Sequence, residues 1–309
     1  MFLKHIPVMT KEVIQHLNIN PNGIYVDATL GFGGHSNAII QNLSDGFLYS
    51  FDQDILSIKY CLEKFKNNNK KINLINSNFA FLKKELYKKN ISFIDGIIFD
   101  LGLCSSQIDD EKRGFSYLKK SFLDMRMNQK QSKTAAEIIN TYSFEKLCNV
   151  FVSYGEEPKS YLIAREIINK RPLYYTSDLV SITDKFYNHK YKKINYRGHS
   201  AKRIFQALRI EVNQEIDCLK EGLEQSLQLL RKKGRIVVIS FNSLEDRLVK
   251  HFFKNNSNFN FCYKIPIKEK DIPKPPLSII TKKPIYPNHE ELNKNPRCSS
   301  AKLRVSEKL

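Results

Sequence analysis

Asp27-Ala28-Thr29-Leu30-Gly31-Phe32-Gly33-Gly34-His35-Ser36 follows the short apolar run Ile24-Tyr25-Val26 and opens a helix-length segment. Glycines at a strand-to-helix turn let the backbone bend sharply and come close to a ligand, while the first N–H groups of the helix stay free. The dinucleotide pattern G-x-G-x-x-G fails, because Ser36 stands at its third glycine. Taken alone, such a turn is also compatible with a tight connection and nothing more.

Its surroundings decide the fold. Phe47 to Asp52, Ile72 to Ile75 and Ile94 to Asp100 read as further strands, with helical patterns at Ile55 to Phe65 and Phe79 to Lys89 between them. Strands alternating with helices predict parallel βαβ units with right-handed crossovers. Asp52 ends the second strand about twenty residues after the glycine turn, where a carboxylate accepts both hydroxyls of a ribose. Turn and acid together indicate an adenosine-containing cofactor.

Phe99-Asp100-Leu101-Gly102 puts a second carboxylate at the end of the fourth strand, beside the switch point where open sheets bind ligands. The amino group of cytosine or adenine is a poor nucleophile, its lone pair being drawn into the ring. A carboxylate accepting one of its N–H bonds favours a pyramidal nitrogen and stabilises the charge that develops as a methyl arrives. The competing role for Asp100 is to cap the turn that follows.

Beyond residue 107 the strand signal stops for about a hundred residues. Ala135 to Ile139, Phe144 to Phe151, Tyr161 to Ile168 and Ser177 to Tyr187 read as helices. A long run from Ala201 carries one apolar stripe through Ile204, Leu208, Val212, Ile216, Leu219, Leu223, Leu227 and Leu230. Gly234 is placed to cap that helix before Arg235 to Phe241 resumes the sheet, and Phe261 to Ile267 and Leu277 to Lys282 are candidates for closing strands. Ser243 and Asp246 have the spacing of a capping box. The expectation is an α/β domain at 1–107 and 214–309, interrupted by a helical insertion at 108–213.

The formal charge of +18 favours polyanions as partners. The excess of Lys over Arg, with abundant Asn and Ile, is equally what an A/T-rich genome gives any protein. Between Tyr187 and Arg203 the insertion interleaves Tyr191, Lys192, Lys193, Tyr196, Arg197, Lys202 and Arg203, a mixture that pairs phosphates and stacks unpaired bases. The six cysteines show no C-x-x-C spacing, so neither a metal site nor a disulfide framework is expected. No stretch of eighteen apolar residues and no secretory leader is evident, and a cytoplasmic protein without membrane contact is expected.

Read together, His5-x-Pro7-Val8-x-x-x-Glu12, Asp27 to Ser36, Asp95 to Gly102, Gln107-x-Asp109, Arg113 to Ser116 and Leu123 to Met127 form an ordered set. Tyr154 to Glu157, Phe205 to Ile210, Ser243 to Arg247 and Asn295 to Arg297 continue it. In these residues the chain resembles the bacterial 16S rRNA (cytosine-N4) methyltransferase family, RsmH or MraW, over nearly its whole length. The resemblance implies a class I methyltransferase fold, Rossmann-like and mostly parallel, with an inserted helical domain. It implies S-adenosyl-L-methionine as cofactor and a cytidine in the decoding region of 16S rRNA, in the small ribosomal subunit, as substrate. Carried over position by position, the cofactor contacts are Gly33, Gly34, His35, Asp52, Phe79, Asp100 and Gln107; the carboxylate chemistry of strand four makes Asp100 the catalytic candidate as well. The chain departs from the family pattern at Cys104, Ser106, Lys120-Ser121-Phe122, Asn242 (usually His) and Ser299. A DNA amino-methyltransferase fits less well, because Leu101-Gly102-Leu103 stands where Pro-Pro and an aromatic are usual. A non-catalytic RNA-binding or ribosome-assembly factor retaining the fold is the other alternative, and a nicotinamide oxidoreductase is disfavoured by Ser36.

Overall fold

In the computed structural model, which describes residues 7–68, 70–187, 198–258 and 274–309, the strand before the glycine turn sits inside a seven-stranded sheet of order β3-β2-β1-β4-β5-β7-β6. The strands are β1 (Ile24–Asp27), β2 (Phe47–Asp52), β3 (Ile72–Asn76), β4 (Ile94–Asp100), β5 (Leu230–Ser240), β6 (Leu277–Ile279) and β7 (Lys302–Lys308). β1 to β5 pair in parallel, and β7 runs antiparallel between β5 and β6. This is the class I methyltransferase arrangement, α/β with a mostly parallel sheet. Strand order reverses at β1, so the carboxyl ends of β1 and β4 flank the crevice where such sheets hold ligands.

The sheet is buried on both faces, which is why its strands read as nearly continuous apolar runs. Ile98, Val237, Ile239, Leu303 and Val305 face one layer, made by α1 (Thr10–Leu17), α2 (Gly34–Gln41) and α3 (Ile55–Lys64). Ile97, Phe99, Ile236 and Val238 face the opposite layer, with α4 (Leu82–Tyr87), α11 (Glu215–Leu229) and α12 (Ser243–Ser257). These residues belong to the first of two compact units, Met1–Gly102 with Ile216–Leu309.

The second unit is Leu103–Glu215, a few residues wider at each end than the insertion read from sequence. It holds α5 (Ser105–Asp109), α6 (Ala135–Thr141), α7 (Phe144–Gly155), α8 (Ser160–Lys170), α9 (Thr176–Phe186) and α10 (Lys202–Asn213). They enclose a separate core that includes Leu147, Phe151, Ile163, Leu179, Ile204 and Leu208. A short helix, α13 (His289–Lys294), precedes β7 in the first unit.

Four expectations are corrected. The apolar stripe from Ile204 to Leu227 is two helices, because Gln214 takes a left-handed conformation (φ 51°) and ends α10, and Leu230 already belongs to β5. Gly234 lies within β5 and caps no helix, since α11 ends at Leu229. The capping box of α12 uses Asn242 and Glu245, whose side chains bond each other's backbone N–H groups. Asp246 pairs with Arg304 and Lys302 of β7 instead. Finally, the strand beside β5 is 302–308, which the sequence reading overlooked; 261–267 lies outside the described residues.

Candidate active site

Asp27, Asp52 and Asp100 end three adjacent parallel strands, and each is placed by the turn that leaves its strand. Asp27 is wholly buried; its carboxylate accepts the Thr29 N–H at 3.0 Å and the Ser36 hydroxyl at 2.7 Å. The Ser36 hydroxyl is also 2.9 Å from that of Ser50 on β2. Ser36, which breaks the dinucleotide pattern, thus ties the start of α2 to two strands. Thr29 completes the knot by accepting the Asp100 N–H on its hydroxyl at 2.7 Å. Burial above all pushes the Asp27 carboxyl above its ordinary range, against the Ser36 hydrogen bond.

Gly33 turns the chain with φ +67°, and a Cβ there would lie 2.6 Å from the Phe65 ring. Only glycine meets both demands. The far end of α3 grips this turn: Lys64 Nζ donates to the carbonyls of Phe32 and Gly33, and the Cys61 thiol approaches that of Gly31 at 3.4 Å. Gly34 and His35 are the first two residues of α2.

Asp52 is half-buried; its carboxylate accepts the Gly31 N–H at 2.9 Å and the Asp54 N–H at 2.8 Å. Burial, with the Asp54 charge adding to it, raises its pKa to about 6 despite those bonds. The acid therefore sits rigidly beside the glycine turn with lone pairs left to accept hydroxyls.

His35 is buried, with Nε2 3.4 Å from Asp100 Oδ2, beyond a good hydrogen bond. His35 Nδ1, His35 Nε2 and Asp100 Oδ1 are buried with no hydrogen-bond partner among the described residues. Unsatisfied buried polar atoms cost about 1–3 kcal/mol each and point to a group that completes them. Burial would lower the His35 pKa, but the carboxylates of Asp100 and Asp27 outweigh it and hold the imidazole above its usual value.

Phe79 begins a short 3-10 turn that Asn78 caps by accepting the Ala80 N–H. Its ring meets Phe99 edge-on at 5.4 Å, and a Cβ on Gly222 would come within 2.9 Å of it, so one side is pressed into the core. Asn78 donates to Gln53, the neighbour of Asp52, at 3.0 Å. The Phe79 turn is thereby tied to the segment that follows β2.

Gln107 lies in the second unit, buried on α5, with Oε1 accepting the Cys104 N–H at 3.1 Å. Lys202 and Arg203 open α10; Lys202 is exposed, and Arg203 donates to the Glu156 carbonyl at 3.2 Å. Tyr191, Lys192, Lys193, Tyr196 and Arg197 lie outside the described residues. Tyr187, where the interleaved stretch begins, is bonded to Glu157 and covered by Lys159, 4.2 Å from its ring centre. Among the described residues no group of His, Cys, Asp or Glu is arranged to hold a metal, and no helix is long and apolar enough to cross a membrane.

Sequence reasoning did not single out Asp27, Ser36, Cys61 or Lys64 as parts of the site. Asp27 and Ser36 lie inside the quoted motif. The grip of α3 left no signal, because it depends on where that helix ends in space.

The glycine turn, Asp52, His35 and Asp100 bring together a helix start with no side-chain cap, a fixed carboxylate and unsatisfied polar atoms. The model of the MraW methylase family matches residues 2–309. A protein of Onion yellows phytoplasma (strain OY-M), named Ribosomal RNA small subunit methyltransferase H, is 54% identical over 304 residues, 98% of this chain and 97% of its own length. One from Acholeplasma laidlawii (strain PG-8A), named Ribosomal RNA small subunit methyltransferase H 1, is 51% identical over 306 residues, 99% of each chain.

Proposed function

The chain belongs to the MraW methylase family, and from that premise we propose that it transfers a methyl group from S-adenosyl-L-methionine to the N4 of a cytidine in the decoding region of 16S rRNA. The observation that carries this reading is Asp100. It ends β4 at the switch point, beside His35, with Oδ1 buried and lacking a hydrogen-bond partner among the described residues. The relatives' names give the substrate class, and the unsatisfied acceptor suits an exocyclic amino group.

The residues present fit the cofactor. Asp52 would accept the ribose hydroxyls, the backbone of Gly33 and Gly34 at the start of α2 would hold the amino-acid end, and His35 would offer an imidazole nitrogen. Phe79, edge-on to Phe99, would offer a ring face to the adenine. Gln107, in the second unit, is kept as a further cofactor ligand on the family pattern alone. When bound, S-adenosylmethionine supplies an electrophilic sulfonium methyl.

Asp100 accepts an N–H of the target amino group, draws the nitrogen toward a pyramidal geometry and balances the charge that develops on it. The Thr29 hydroxyl fixes the Asp100 backbone, so the carboxylate arrives already oriented. The cytidine has to leave its stack to reach this acid. Lys202 and Arg203, with the interleaved residues before them, supply phosphate contacts from the second unit. The small ribosomal subunit is the partner, and the cytoplasm is where the reaction takes place.

Mass spectrometry of nucleosides from small-subunit rRNA, with and without this protein, tests the assignment. N4-methylcytidine is expected only when the protein is present. A methyl at C5 of cytosine, or none, overturns it.

A further inference from the structure

Residues 121–123 and 174–176 of the second unit pair as two short antiparallel segments bridged at Phe122 and Tyr175. The Leu123 N–H donates to the Tyr174 carbonyl and the Thr176 N–H to that of Ser121, both at 2.8 Å. The Thr176 hydroxyl accepts the Ser121 N–H and donates to the Lys119 carbonyl. Leu123 and Thr176 are fully buried, which anchors the pair from below. Gly114 is packed against its back: with φ +69°, a Cβ there would fall 2.2 Å from the Phe122 carbonyl oxygen. The backbone of this strip is therefore held from two sides.

What it presents outward is aromatic. Phe122, Tyr174 and Tyr175 are 43%, 48% and 45% exposed on so rigid a base. The Phe122 and Tyr174 rings are nearly parallel, 14° apart with centres at 6.4 Å. Lys120 holds its ammonium 4.9 Å from the centre of the Tyr175 ring. The nearby carboxylates are occupied: Glu111 pairs with Lys119, and Asp178 accepts the N–H groups of Tyr174 and Tyr175. Exposing several rings costs solvation and needs a reason. None of these residues belongs to the methyl-transfer motifs.

We propose that Phe122, Tyr174 and Tyr175, with Lys120, form a platform on which unpaired bases of the RNA substrate stack. Ring faces on a fixed backbone accept any base at little ordering cost, and the adjacent ammonium pairs with the phosphate between bases. A formal charge of +18 on the chain favours a polyanion over a neutral protein surface here. The platform is distinct from the stretch between Tyr191 and Arg203. It rests on the reading of the chain as an enzyme acting on small-subunit rRNA.

The test compares wild type with the triple variant Phe122→Ala, Tyr174→Ala, Tyr175→Ala in steady-state methylation of small subunits. The KM for the subunit is expected to rise about tenfold or more, as loss of base stacking does, with kcat and cofactor affinity unchanged. The double variant Tyr174→Phe, Tyr175→Phe keeps the rings and should keep the wild-type KM. Ultraviolet cross-linking of the unaltered protein to the rRNA should place nucleotide adducts on peptides containing Phe122 or Tyr174, whatever the stability of the variants. An unchanged KM in a folded triple variant, or adducts absent from these peptides, overturns the proposal. So does a loss of binding to assembled subunits with none to protein-free rRNA, which makes the face a dock for a ribosomal protein. If the wild-type protein methylates no small-subunit rRNA at all, the function itself fails, a separate outcome.

Discussion

The ammonium of Lys64 donates to the Gly33 carbonyl at 3.1 Å, and the same nitrogen reaches the Phe32 carbonyl at 2.6 Å. The Gly33 carbonyl also accepts the Asn37 N–H at 3.1 Å, so Lys64 and the first bond of α2 together fix the peptide whose N–H, that of Gly34, points the opposite way. Burial lowers the Lys64 pKa, a sign that the ammonium has given up water for these carbonyls. Lys64 is thus a positioning residue for the glycine turn.

Lys64→Met should weaken S-adenosylmethionine binding by about 1 kcal/mol, the scale of a partly exposed charged hydrogen bond. Lys64→Arg should recover most of that loss, and kcat at saturating cofactor should stay near wild type. Titration calorimetry decides it. Equal affinities for the Met variant and wild type would show that the turn holds itself.

Asp52→Ala should reduce cofactor affinity by about 1.5–3 kcal/mol. A ribose hydroxyl is best accepted by the ionised acid, and Asp52 titrates at about 6. Affinity should therefore rise with pH through about 6 and level off above it. Asp52→Asn, which cannot ionise, should lose that component of the profile, leaving whatever His35 contributes. A wild-type affinity that is flat from pH 5 to 8 would contradict the assignment.

For Asp100, the expected signature is loss of turnover with binding preserved. Asp100→Asn keeps the shape and the backbone link to Thr29 but accepts a hydrogen bond less strongly. Its methylation rate should fall by about two orders of magnitude or more, with cofactor affinity changed little. A parallel fall in both would make Asp100 chiefly a cofactor ligand.

His35 predicts how stability responds to pH. Its folded pKa lies above the usual value, so the stabilisation it gives is complete below about 6.5 and is lost as pH rises through the folded pKa. Asp27 and Asp52, both raised, act in the same direction. Melting temperature should fall from pH 6 to pH 9, and less steeply in His35→Gln. Calorimetric scans of both proteins across that range would expose a wrong sign.

The strand ends were legible because their chemistry is local: an acid closing an apolar run is visible as Asp52 or Asp100 without any knowledge of neighbours. β7 was not legible. Leu303 and Val305 are its only apolar residues, too short an alternation to stand out, and Arg304 between them is buried in a pair with Asp246 on α12. A charged residue made internal by a distant partner reads as surface in one dimension. The break at Gln214 was hidden for a related reason. No glycine or proline marks it, and the apolar spacing runs through, while Val212 packs in one unit's core and Leu219 in the other's. The role of Asn242 was half legible: replacing a usual His removes an imidazole, and the structure uses the residue as the cap of α12.

The place of β7 bears on how the protein comes off the ribosome. It pairs with β5 on one side and β6 on the other, yet its residues are made after everything they join. Leu103–Glu215 can close its own core during synthesis, whereas the sheet has an unfilled slot until 302–308 emerge. Until then β5 exposes an open edge, the kind of surface on which strands of other chains pair. A nascent chain stalled just short of Lys302 should accordingly resist proteolysis in its inserted unit while remaining a client for chaperones in the other.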